Sequence, residues 1–394
     1  MFERSDLQVL KARIDEPRKF IQVIVGPRQV GKTTLANQLF MQLIIPAVFE
    51  SADAINVDDS VWLEQIWETA RLKMRSKGLS EYLIIIDEVQ KIRNWSESIK
   101  KFWDEDSRRG MNIKLILLGS SRLLVQKGLT ESLAGRFETM NMTHWSYTEM
   151  RKAFGWNHQQ YVWYGGYPGT DTLIRDEKRW KDYVRESLIE TSISKDILML
   201  SRIDKPSLLK KLFELGCLFS GQILSFNKIM GQLQDAGNTT TLAHYLRLLG
   251  GAGLLEGLEK YSGSEIRKRS SSPKFQVYNN ALLSAQNEFF FDQITRLPDQ
   301  WGRMVESSIG AYLVNESITK GFSVYYWREG IDEIDFVIEK AGRLIGIEVK
   351  SSISKQTAGM QKFKSKYAPD KIYLIDNKAL SWEEFLEIDP LELF

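Results

Sequence analysis

Over its first third the chain alternates short apolar runs with amphipathic stretches. FIQVIV (20–25), AVFE (47–50), YLIIID (82–87) and IKLILLGS (113–120) are runs of strand length. The last three are apolar on both faces and predict buried parallel strands. Between them, DDSVWLEQIWETARLKMRSKG (58–78) repeats its apolar residues at helical spacing and ends in Lys and Gly, as helix C-termini do. Alternating strands and helices predict an α/β doubly wound domain over about the first 150 residues. Helical patterning then runs from about 158 to 200, with a Gly-Gly-Tyr-Pro turn at 165–168, and three further helical segments occupy 205–255. The stretch 257–278 reads as a two-stranded hairpin with a polar, basic tip. The last hundred residues return to mixed structure: an amphipathic helix at 301–317, then strands FSVYYWRE, EIDFVIEKA and LIGIEVKSS. The expected parts are 1–157, 158–203, 204–284 and 285–394.

Composition adds only limits. At 394 residues the chain is too long for one compact core. Apolar residues make up 43% and charged residues 26%, as in ordinary globular proteins. Lys plus Arg number 53 against 51 Asp plus Glu, a net +2, so any nucleic-acid surface has to be a local patch. The single cysteine, Cys217, excludes an internal disulfide and sits in an apolar helical stretch, where a small core role is expected. The charged N-terminus MFERSDLQVLKARIDEP does not read as a signal peptide, and no apolar run approaches membrane-spanning length. A cytoplasmic location is expected.

Candidate chemistry starts at VIVGPRQVGKTTL, where Gly26, Pro27, Arg28, Gln29, Val30, Gly31, Lys32, Thr33 and Thr34 form Gly-x4-Gly-Lys-Thr between a strand and a helix. Glycines at this spacing let successive backbone N–H groups face phosphates, and the following helix points its positive end at them. Lys32 is expected to reach the terminal phosphates of ATP, and the Thr33 hydroxyl to ligate Mg²⁺. In LIIIDEVQ (83–90), Asp87 emerges at the C-terminal end of a buried strand, where it is expected to hold Mg²⁺ through its outer shell. Glu88 is the expected general base for the attacking water. At the end of the next strand, Ser120, with Ser121 close behind, is the expected contact to the γ-phosphate or the water. In SLAGR, Arg136 is either an arginine finger for a neighbouring subunit's nucleotide or a solvated surface arginine.

GPRQVGKTT, IIIDEVQ, GSS…SLAGR and GGYP together resemble the AAA-type ATPases of bacteria and archaea, a likeness that extends over almost the whole chain. It implies ATP binding and hydrolysis by Lys32, Thr33, Asp87 and Glu88, Ser120 as sensor, and Arg136 acting in trans within a ring or ring-like oligomer. It also implies that YGGYPGTDTL and the helices after it form a small helical lid. This sequence departs from better-studied members in showing no clear second-sensor arginine; Arg175 and Arg185 are the nearest residues of that type.

Downstream, 211–261 follows helix-turn-helix logic. Ser225 caps one short helix, Asn238 or Thr239 caps the next, and Thr240, His244 and Arg247 lie on the outer face of this recognition-type helix. The hairpin after it resembles a wing, with Arg267, Lys268 and Arg269 at its tip. This winged-helix region either contacts duplex DNA or packs against protein. In the last part, Asp335 on one strand and Glu348 and Lys350, two apart on the next, share a face. Two carboxylates can hold one or two Mg²⁺ ions while Lys350 orients water. The arrangement resembles the restriction-endonuclease-like fold, and by that likeness Glu306 joins Asp335 and Glu348 as a metal ligand. The charges form a cutting site, a site that binds without cutting, or a structural network on one sheet face.

The expected fold is α/β: a P-loop AAA-type ATPase domain with helical lid, a winged-helix domain and an α/β restriction-endonuclease-like domain. The expected function is Mg²⁺-dependent ATP hydrolysis coupled to DNA binding or remodelling, with DNA cleavage by the last domain. The alternative is a nucleotide-switched ATPase whose C-terminal domains bind protein partners.

Overall fold

The structure, a computed structural model, describes residues 2–55, 60–119, 129, 132–198, 203–232, 238–263, 271–350, 358–376, 378 and 380–394. It divides into two compact units, Met1–Met142 and Thr143–Phe394.

In the first unit, strands β1 (Ile21–Val25), β2 (Ala47–Ser51), β3 (Tyr82–Asp87), β4 (Ile113–Gly119) and β5 (Phe137–Asn141) form one sheet in the order β2-β3-β4-β1-β5. All its pairings are parallel, with Val23 opposite Leu117 and Ile85 opposite Ile116. β1, β3 and β4 are buried throughout because helices cover both faces. Helices α1 (Asp6–Asp15) and α2 (Lys32–Gln42) carry Leu7, Leu10, Leu35 and Leu39 into one core. Helices α3 (Ser60–Lys77) and α4 (Trp95–Arg109) carry Trp67, Ile99, Phe102 and Trp103 into the other. The pair α3–α4 also shares a buried charge network. Asp106, fully buried, accepts from Trp67 Nε1 and Arg71 Nε, both at 2.8 Å, so this carboxylate is paired rather than stranded.

Two expectations change here. The 47–50 run reads as a buried strand, but β2 is the sheet edge and only half covered. β5 is not expected, because FETMN has few apolar residues to signal it. It nevertheless completes the sheet beside β1.

The second unit opens with α5 (Tyr147–Phe154), α6 (His158–Tyr164) and α7 (Glu177–Tyr183), then two π-helical stretches, Val184–Glu190 and Ser192–Leu198. Next come α8 (Pro206–Leu218), α9 (Phe226–Gln232) and α10 (Thr239–Gly251). Cys217 is fully buried on α8 and its thiol is pushed up by that burial. Strands β6 (Leu255–Lys260) and β7 (Lys274–Val277) form an antiparallel hairpin. That hairpin continues into the C-terminal sheet of β8 (Ser323–Glu329), β9 (Asp332–Lys340), β10 (Arg343–Val349) and β11 (Lys371–Ile375), through parallel pairing of β6 with β8. The sheet order is β11-β10-β9-β8-β6-β7. Stretches that read as separate parts, 204–284 and 285–394, thus share one sheet.

The helix α11 (Pro298–Lys320) is buried continuously over 304–315, except for the partly covered Glu306, where an amphipathic helix with one wet face is expected. Its small polar residues there are internally bonded. Ser307 Oγ donates to Asn280 Oδ1 at 2.9 Å and Asn315 Nδ2 donates to the Tyr278 carbonyl at 2.7 Å, so a polar face can be enclosed. Neither α12 (Ala358–Tyr367) nor β11 is expected from the pattern. Among the described residues no helix is long and apolar enough to cross a membrane.

Candidate functional site

The first site lies at the C-terminal ends of β1 and β3. Gly31 caps α2 at φ +95°, a left-handed conformation that a side chain strains, and Gln29 just before it stands at φ 62°. Gly26 has another reason to be glycine: a Cβ there would stand 2.1 Å from the Met142 carbonyl oxygen, on the chain just after β5. Val30 is fully buried and anchors the loop, while Pro27 and Arg28 are half-buried and Gln29, Thr33 and Thr34 exposed. Lys32, 7% exposed, donates through Nζ to the carbonyls of Gly26 (2.9 Å) and Pro27 (2.7 Å), folding back over its own loop.

Thr33 Oγ1 donates to Asp87 Oδ2 at 2.7 Å, and the other oxygen of Asp87 accepts the Glu88 backbone N–H at 2.9 Å. Glu88 turns off the strand at φ 53° and its carboxylate accepts from Gln90 Nε2 at 2.5 Å. Burial raises the Glu88 carboxyl above its ordinary range, against the charges of Arg28 and Lys32. A left-handed loop, a helix N-terminus, an ammonium and a hydroxyl–carboxylate pair fit a polyphosphate with a divalent cation.

Arg136 is 32% exposed and paired: Nε and Nη2 clamp the two oxygens of Asp104 on α4 at 2.8 and 3.0 Å, and this raises the Arg136 pKa. The sequence does not single out Asp104; it lies on the charged outer turn of a helix and nothing local marks it. Ser120 and Ser121 lie outside the described residues.

In the second unit, α10 is capped by Asn238, whose Oδ1 accepts the Thr241 N–H at 2.8 Å. Thr240, His244 and Arg247 are all exposed and, at spacings of four and three, lie on one face of it. Ser225 Oγ accepts the Lys228 N–H at 3.3 Å at the start of α9. Arg267, Lys268 and Arg269 lie outside the described residues.

The charged residues near the C-terminus come together, but around a group the sequence does not suggest. Ile347 of β10 pairs with Phe336 of β9, which sets Glu348 and Asp335 next along the two strands. Asp335 Oδ2 accepts the Val349 N–H at 2.8 Å. Glu348, 2% exposed, accepts from Lys350 Nζ at 2.8 Å, and its Oε2 has no hydrogen-bond partner among the described residues. Burial pushes the Glu348 carboxyl up to about 7, helped by the charge of Asp335 and opposed by Lys350. Between Glu306 and Asp335 stands Lys274 of β7. Its Nζ is 2.7 Å from Glu306 Oε1, 3.6 Å from Asp335 Oδ1 and 3.1 Å from the Asp335 carbonyl oxygen, and lies 4.6 Å from the Phe336 ring centre. Burial alone would lower the Lys274 pKa, but the two carboxylates outweigh it and hold the ammonium charged.

The expected metal set of Glu306, Asp335 and Glu348 therefore differs from what the structure holds. Among the described residues no group of three His, Cys, Asp or Glu side chains is arranged to take a metal ion, and an ammonium lies among the carboxylates instead. A signal for Lys274 is present: it is a lone charge inside the apolar strand PKFQVY, the same feature that marks Asp335 and Glu348.

Three family models match the chain: an AAA domain over residues 18–151, a domain of unknown function (DUF8612) over 155–293, and another (DUF4143) over 301–385. Uncharacterized proteins of Mycobacterium tuberculosis and Haemophilus influenzae are similar to it at 26% and 23% identity, covering 84% and 95% of this chain and 70% and 92% of theirs. Among solved structures, the Aeropyrum pernix Orc1 protein in complex with DNA is 13% identical, over 74% of this chain and 93% of that one, with a TM-score of 0.30. AMPPCP-bound DnaA from Aquifex aeolicus is 15% identical, over 62% and 86%, with a TM-score of 0.32. Superpositions this loose bear no weight for the site. The AAA-domain match and the parallel sheet give residues 18–151 the fold of an AAA-type P-loop ATPase.

Proposed function

We propose that the first unit binds and hydrolyses ATP with Mg²⁺, and that the second unit applies the resulting motion to DNA. The observation that carries the first half is the convergence of Lys32, the Thr33–Asp87 pair and Glu88 at the strand ends beside the Gly31 loop. Lys32 would exchange two backbone carbonyls for phosphate oxygens. Thr33 and Asp87 would hold Mg²⁺, which when bound neutralises charge on the phosphates. Glu88, with its carboxyl raised by burial and steadied by Gln90, is suited to take a proton from water. Arg136 would serve a neighbouring subunit in a ring-like assembly after release from Asp104. The DNA half is supported by the exposed Thr240, His244 and Arg247 face of a capped helix.

Two arms test this. Glu88→Gln should retain ATP while turnover falls by roughly 10²- to 10⁴-fold, the usual contribution of a general base; undiminished turnover would sink the engine. Duplex DNA should raise the ATPase rate, and its binding should weaken steeply with salt and weaken again in Arg247→Ala, as phosphate contacts require. A protein that ignores DNA at low salt would move the reading to an ATPase that binds protein partners.

A further inference from the structure

We infer that Lys274 is the resident cation of the Glu306–Asp335–Glu348 cluster, so that the second unit holds this site without a divalent metal and does not cut phosphodiesters by a metal mechanism. The inference is independent of whether the unit contacts DNA.

The geometry leaves a metal little to bind. A Mg²⁺ or Mn²⁺ ion needs carboxylate oxygens converging at about 2.1 Å, with room for water or phosphate in the remaining positions. Here Asp335 Oδ2 is held by the Val349 N–H and Oδ1 faces the ammonium of Lys274. Glu306 Oε1 contacts that same ammonium, and Glu348 Oε1 is taken by Lys350. This leaves Glu348 Oε2 as a buried oxygen with no hydrogen-bond partner among the described residues, one donor where a divalent ion needs several. A dication placed among these carboxylates would meet a buried like charge at close range.

Lys274 has nowhere to withdraw. Its backbone lies within three paired segments, opposite Leu258 of β6 on one side and Ile223 on the other. Its side chain is 4% exposed and lies against the Phe336 ring. A lysine released from this position would give up its contacts with Glu306 and Asp335 and leave two carboxylates without that ammonium. The ammonium supplies charge without coordination geometry, and so ties the β6–β7 hairpin to α11 and β9 where a metal would have left an open, reactive position.

The test is Mn²⁺ uptake by the full chain without nucleotide, followed by the electron paramagnetic resonance of free Mn²⁺. Wild type and Asp335→Asn should titrate alike. Lys274→Met should gain roughly one Mn²⁺ site per chain, lost again in Lys274→Met/Asp335→Asn. A wild-type site that disappears in Asp335→Asn would overturn the inference. So would a folded Lys274→Met chain that takes up no more Mn²⁺ than wild type. Should Lys274→Met not fold, the comparison of wild type with Asp335→Asn decides alone, in either direction. End-labelled duplex and branched DNA incubated with Mg²⁺ or Mn²⁺ gives a second readout: cleavage that Glu348→Ala abolishes would also refute it.

Discussion

Lys32 and Lys274 are both buried lysines, 7% and 3% exposed, and both stand among charged groups. Their surroundings separate them. Lys32 donates to neutral carbonyl oxygens of its own loop, at the exposed mouth of a parallel sheet. Lys274 donates to a carboxylate, lies beside a second one, and is enclosed between a helix and two strands. A carbonyl is readily exchanged for a phosphate oxygen, because the replacement binds the ammonium more strongly than what it displaces. A buried carboxylate is not, because displacing the ammonium leaves an uncompensated charge. The identity of the oxygen, and not the burial of the lysine, separates a site that takes a ligand from one that is already closed.

The largest effect that follows is on stability. Lys274→Met leaves Glu306 and Asp335 without that ammonium, with Lys350 as the remaining cation of the cluster, and removal of one partner from a buried ion pair costs about 3–5 kcal/mol. Urea unfolding of the second unit should show a loss of this size. Lys274→Met/Glu306→Leu should recover part of it, and only part, since Asp335 still lacks the ammonium. A Lys274→Met chain as stable as wild type would erase the contrast between the two lysines.

Lys32→Ala is the counterpart, with a smaller effect and a different readout. Loss of hydrogen bonds to a charged ligand is worth about 1.5–3 kcal/mol, so a fluorescent ATP analogue should bind roughly 10- to 100-fold more weakly. Unfolding should be less affected than in Lys274→Met, because Lys32 donates to the neutral carbonyls of Gly26 and Pro27. If Lys32→Ala unfolds as readily as Lys274→Met, the phosphate-loop lysine is a structural group too and the distinction fails.

How much of this is legible in the sequence follows from the same contrast. The phosphate loop is local: Gly31, Lys32 and Thr33 are consecutive, and the turn they need is written in the residue types. Asp87 and Glu88 follow a strand that is apolar on both faces, so their position at its end can be read directly. The C-terminal cluster is assembled from α11, β7, β9 and β10, across more than seventy residues. Asp335, Glu348 and Lys350 stand out because they sit on neighbouring strands of one hairpin or, for Lys350, one residue past the second strand. Lys274 escapes because its hairpin reads as the wing of a separate domain, and only the pairing of β6 with β8 brings it to the cluster. The polar side of α11 misleads in a related way: Ser307 and Asn315 look solvent-facing until their distant partners Asn280 and Tyr278 are known. The edge exposure of β2 is hidden for a similar reason, since an apolar run cannot show whether a neighbour lies on both sides.

The last expected effect, a gradual one, concerns Glu348, whose carboxyl is pushed up to about 7 from the ordinary glutamate value of 4.5, first by burial and then by the charge of Asp335. Between those two values the folded chain holds a proton that the unfolded chain has already released. Stability from this group is therefore complete below the unfolded value and is lost as pH rises through about 7, with a slope approaching 1.4 kcal/mol per pH unit for one proton, less where Lys350 shares the charge. Urea midpoints measured from about pH 5 to about pH 8 should fall for wild type and fall less steeply for Glu348→Gln, which cannot ionise but leaves Glu306, whose carboxyl burial also pushes up to about 7. Lys274, held charged by Glu306 and Asp335, does not titrate in this interval and should add no slope. A wild-type curve that rises across it would mean that Glu348 is stabilised as the anion, as a cation bound at its Oε2 would make it, and that the cluster is open in the way the phosphate loop is.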